Sequence, residues 1–88
     1  MKQIKLSGRE LAVLRAIDYA TGNTGTEIRD KTSIEGTEVA DILNGLCEVG
    51  FVEIYPYAEQ VTQSNYADSR FEVNPSYALQ LKESMRRH

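Results

Sequence analysis

Residues 34–52 read IEGTEVADILNGLCEVGFV, and this stretch decides the fold. Val39, Ile42, Leu43, Leu46, Cys47 and Val49 recur at spacings of three and four, which predicts a helix of about 13 residues with a wide apolar stripe. Gly50 supplies a left-handed stop. Phe51 to Tyr57, rich in aromatic and β-branched residues, then reads as a strand, with Pro56 marking its outer end or a sheet edge.

Upstream, Ser7 and Glu10 form a capping box that opens a helix at Gly8. Leu11, Leu14 and Ile17 give it an apolar face, and Gly22 is its expected stop. Thr24 and Glu27 repeat the box and open a short helix from Gly25 to about Lys31, anchored by Ile28 and too short to stand alone. Downstream, Ala58 to Ser69 is polar, either a mobile loop or the tip of an extended hairpin. Arg70 to Asn74 alternates polar and apolar residues, putting Phe71 and Val73 on one face of a returning strand. Asn74 and Pro75 make an N-cap and first-turn pair for a last helix reaching about Arg87, with Tyr77, Ala78, Leu81 and Met85 on its buried side. The expected class is α+β. Its most buried residues should be Leu14, Ile17, Ile28, Val39, Leu43, Leu46 and Leu81.

With 88 residues, the chain is expected to form one domain over 1–88. At 41% apolar and 26% charged residues, its composition is that of a folded globular chain. One cysteine, Cys47, and one histidine, His88, cannot build a zinc site or close an internal disulfide. No metal, cofactor or enzymatic activity is expected. An N-terminus without a signal region and the absence of any apolar run near 18 residues point to the cytoplasm and away from membranes. The net charge of −3 is unevenly placed. Residues 1–31 carry six basic and four acidic groups, residues 32–69 none and seven, and residues 70–88 four and two.

Three helices, a two-stranded hairpin and a closing helix, in that order, resemble the winged helix-turn-helix family of DNA-binding domains. The resemblance rests on Ile34-x4-Val39-x3-Leu43-x2-Leu46-x3-Gly50-Phe51-Val52 and on Arg70-Phe71-Glu72-Val73-Asn74-Pro75, and it spans roughly residues 6–85. It implies a three-helix core, a two-stranded wing and a C-terminal helix. By the same resemblance, helix 2 would cross the phosphate backbone and helix 3 would enter the major groove of double-stranded DNA. Thr37, Glu38, Asp41 and Asn44 would then face base edges, and Arg29, Lys31 and Arg70 would meet phosphates, as in a small transcriptional regulator. Leu79, outside the last helix's apolar stripe, is where a homodimer contact could begin.

One feature departs from that family. No lysine or arginine lies between Lys31 and Arg70, and Glu35, Glu38, Asp41 and Glu48 occupy the third helix and its approach. Phosphate neutralisation by cations supplies non-specific DNA affinity, so a second reading stands beside the first: a protein-interaction module whose acidic third helix meets a basic partner. Other features have plain alternatives. Glu38 and Asp41 could form a metal or acid–base pair but also suit a solvated face. Cys47, four residues after Leu43, suits a small buried hydrophobe. Tyr55, Tyr57 and Tyr66 could stack on a ligand or simply fill strand positions.

Overall fold

The computed structural model describes residue 6 and residues 8–86, with side chains to residue 83. Among these residues, seven elements follow in chain order: α1 (Gly8–Ala16), β1 (Asn23–Thr24), α2 (Gly25–Thr32), α3 (Gly36–Glu48), β2 (Val52–Tyr55), β3 (Arg70–Val73) and α4 (Ala78–Arg86). The class is α+β, four helices on a three-stranded antiparallel sheet. The expected Ser7 cap, the burial of Met85 and the end of the last helix at Arg87 lie outside the described residues.

Local signals set α2 and α3. The Thr24 hydroxyl accepts the Glu27 N–H at 3.2 Å while the Glu27 carboxylate accepts the Thr24 N–H at 2.9 Å, closing the box expected from the sequence. α3 has 13 residues and turns Val39, Ala40, Leu43 and Leu46 inward. Gly50, at φ 85°, follows its C-cap Val49. β2 and β3 pair in the register Val52↔Val73, Glu53↔Glu72, Ile54↔Phe71 and Tyr55↔Arg70. Val52, Ile54, Phe71 and Val73 thereby face the helices, and Glu53, Tyr55, Arg70 and Glu72 face outward.

The seven residues expected to be most buried are all at most 2% exposed, and Phe71, Val13 and Val52 join them at the centre.

Four expectations need correction. Helix α1 ends at Ala16 rather than running to Gly22. Asp18 competes with the helix: its carboxylate accepts the N–H groups of Ala20 at 2.7 Å and Thr21 at 3.2 Å, while its own N–H goes to Asn23 Oδ1 at 2.7 Å. Gly22 instead turns the chain, at φ 73°, into a strand that was not foreseen. That strand, β1, pairs Asn23↔Phe71 and Thr24↔Arg70, so the sheet has three strands in the order β1-β3-β2 rather than two.

The β2–β3 connection is also different from expectation. It does not project as a hairpin tip but folds back on the helices, burying Val61 and Tyr66. Lastly, α4 begins at Ala78, because Asn74 starts a separate turn. The Asn74 carboxamide oxygen accepts the Ser76 N–H at 3.0 Å, and its NH2 donates to the Gly50 carbonyl at 2.8 Å.

Candidate functional site

The outward face of α3 is built by the helical period. With Val39, Leu43 and Leu46 fixed in the core, Thr37, Asp41, Gly45 and Glu48 are exposed and Glu38 is half-exposed beside them. Thr37, Glu38 and Asp41 therefore share one surface, as the sequence indicated. Glu38 pairs with Arg9, brought over by the packing of α1 on α3. Sequence reading missed Arg9, since 29 residues separate the pair and no local pattern links them.

Asn44 lies on the same stripe, seven residues after Thr37, but its side chain is already engaged. Its carboxamide oxygen accepts the Val61 N–H at 2.9 Å, and its NH2 donates to Glu48 at 3.0 Å. The side chain holds the β2–β3 connection against α3. Gln63 adds a bond to the Thr37 carbonyl at 3.3 Å.

The three cations assigned to phosphates go to three different places. Arg29 lies near the start of α3, with Asp30 at 3.3 Å. Hydrogen bonding to the Tyr66 hydroxyl, then to Asp30, holds the Arg29 guanidinium still more firmly protonated. Lys31 donates to the Ala16 carbonyl at 3.2 Å and so caps the end of α1. Arg70 sits on the outer face of the sheet, 3.0 Å from Glu72 and 5.9 Å from the centre of the Tyr55 ring. Of these three, only Arg29 borders α3.

Beyond the C-terminal end of α3 lies a cleft of about 330 Å³ between Glu48, strand β2 and residues 57–59. Cys47, Val52 and Ile54 contribute apolar lining, and Glu48, Glu53 and Glu59 are the charged residues that line it. Burial, reinforced by the Glu53 charge, pushes the Cys47 thiol up to about 11. The same Glu53 charge is the first cause, ahead of burial, of the raised pKa of Tyr55. All of its lining but Asn74 falls within residues 47–59, yet no residue pattern there marked a cleft, which forms only where the chain bends after β2.

Among the described residues, no group of three or more His, Cys, Asp and Glu side chains could hold a metal ion. No helix there is long and apolar enough to cross a membrane. Comparison with protein-family models, characterised proteins and solved structures finds no match to this chain.

Proposed function

We infer that this chain is a winged-helix domain that docks on a basic protein through the acidic outer face of α3. The order of helices and strands supports the winged-helix reading, with α2 and α3 as its helix-turn-helix and β2 and β3 as the wing strands. One observation carries the function: the outer face of α3 presents Asp41 and Glu48, with Glu38 beside them paired to Arg9, while Arg29, Lys31 and Arg70 are engaged at three separate places.

Duplex DNA carries one negative charge per about 1.7 Å of axis, and a protein gains affinity by neutralising several at once. Two like charges about 4 Å apart repel by about 1 kcal/mol even in water. An acidic helix flanked by divergent cations therefore suits a positive partner better than a phosphate backbone. The rival reading, a DNA-binding regulator, draws on Arg9 and Arg29 near the N-terminal half of α3.

A titration of labelled chain against mixed-sequence duplex DNA and against a lysine-rich protein, at low and moderate salt, tests this. Binding of the basic protein, weakened by Glu38→Gln with Asp41→Asn, is the expected result. Duplex binding that the same double substitution strengthens, with a salt slope near about −2 to −3, would replace this reading with the DNA-binding one.

A further inference from the structure

Strand β2 is bonded to β3 on one side, and among the described residues no strand pairs with its other edge. The Phe51 carbonyl accepts the Asn74 N–H at 2.8 Å. With the register Glu53↔Glu72 and Tyr55↔Arg70, this turns the Phe51 carbonyl and the N–H and C=O groups of Glu53 and Tyr55 toward β3, while the Phe51 N–H donates to the Leu46 carbonyl at 3.0 Å. By the alternation of an antiparallel ladder, the N–H and C=O groups of Val52 and Ile54 point to the open edge. The cleft of about 330 Å³ lies along that edge. Tyr57, at its rim, is 82% exposed.

We propose that the open edge of β2 takes up an extended segment of a partner protein bearing lysine or arginine, as a fourth strand lying in this cleft. It rests on the reading of the chain as a module for a basic partner, and adds to the α3 face a second contact, joined to it through Glu48, where the partner is held as a strand. Backbone bonds from Val52 and Ile54 supply attachment, as in other strand-addition complexes. Glu48, Glu53 and Glu59 offer charge-assisted bonds to the incoming cations, and the faces of Tyr55 and Tyr57 offer cation–π contact.

A second copy of this chain fits poorly, since two β2 edges side by side would oppose the same carboxylates, and like charges across a strand pair are destabilising. Pro56 ends the edge without an N–H to donate, so only a short segment is held. Modest affinity follows.

The test uses the whole chain, isotopically labelled, and an alternating lysine–valine hexapeptide as the probe. A control peptide carries N-methyl groups on alternate backbone amides, which keeps its charge and removes its strand bonds. The expected result is amide shifts centred on Val52 and Ile54, with binding weakened about tenfold by N-methylation and similarly by Glu53→Gln with Glu59→Gln. Equal binding of the N-methylated peptide would overturn the proposal, since attraction would then be charge alone. Shifts confined to residues 37–45 would overturn the edge site while leaving α3 as the docking face. If neither the peptide nor a lysine-rich protein binds, the docking function fails with it.

Discussion

The ring of Tyr66 fills the space that a side chain on Gly36 would need: a Cβ built there would stand 3.1 Å from the ring carbon Cζ and closer still to the hydroxyl. Gly25 meets the same tyrosine at the start of α2, where a Cβ would lie 2.7 Å from the Tyr66 carbonyl carbon. One residue of the β2–β3 connection is thus seated between the first residues of two helices. Gly36→Ala should destabilise the chain by about 1–3 kcal/mol, as overpacking of a buried site does. Gly25→Ala should cost at least as much, because its obstacle is backbone. Urea midpoints check both, and an unchanged midpoint in Gly25→Ala would show that Tyr66 is not seated there.

Leu43 has no exposed surface and sits at the middle of α3's inner face. Leu43→Ala should cost about 2–5 kcal/mol, the range for an aliphatic side chain removed from a packed core. Thermal and urea unfolding measure it. A loss below about 0.5 kcal/mol, typical of surface positions, would contradict this packing.

Acid should destabilise the fold through two carboxylates. The N–H groups of Ala20 and Thr21 hold Asp18 below its ordinary value, and the Thr24 N–H, then the Asn23 amide, do the same for Glu27. A depressed native pKa means that the native state binds fewer protons than the unfolded chain. Its contribution is therefore present above the unfolded pKa and is lost as pH falls through the native one. Asp18→Asn keeps an acceptor oxygen but not the charge, so its melting temperature should approach that of the parent as pH falls from about 6 to about 3. A gap that stays constant across that range would refute this assignment.

The raised Cys47 thiol predicts slow alkylation. With its pKa pushed up to about 11, about one molecule in a thousand carries the thiolate at about pH 8. Modification by iodoacetamide should follow unfolding, accelerating sharply across the urea transition. Fast labelling of the native chain would mean that half-burial and the Glu53 charge do not keep this thiol protonated.

Local chemistry was the legible part of this fold. The Thr24–Glu27 box, the α3 stripe and the alternation of Phe71 with Val73 each involve residues within a few positions, where period and capping geometry act directly. Asp18 defeated the same reasoning, because one carboxylate collected N–H groups that a longer α1 would have used. Asn23 and Thr24 were too short a strand to show a period, and β3 supplied their pairing from across the chain. Val61 and Tyr66, isolated in a polar stretch, gave no sign that both would be buried. The acidic character of α3 was visible beforehand. Where Arg29, Lys31 and Arg70 would turn depended on tertiary neighbours that no spacing reveals.

Both outer strands of the sheet lean on β3, which follows both of them in chain order. While the chain is being synthesised, β1 and β2 wait without a partner until Arg70–Val73 appears, and the side chain of Leu81, fully buried in the finished core, comes later still. Folding is thereby postponed until residues 70–81 have been made, and a nascent chain halted before residue 70 leaves the edge of β2 and the helices' inner faces open to chaperones and proteases.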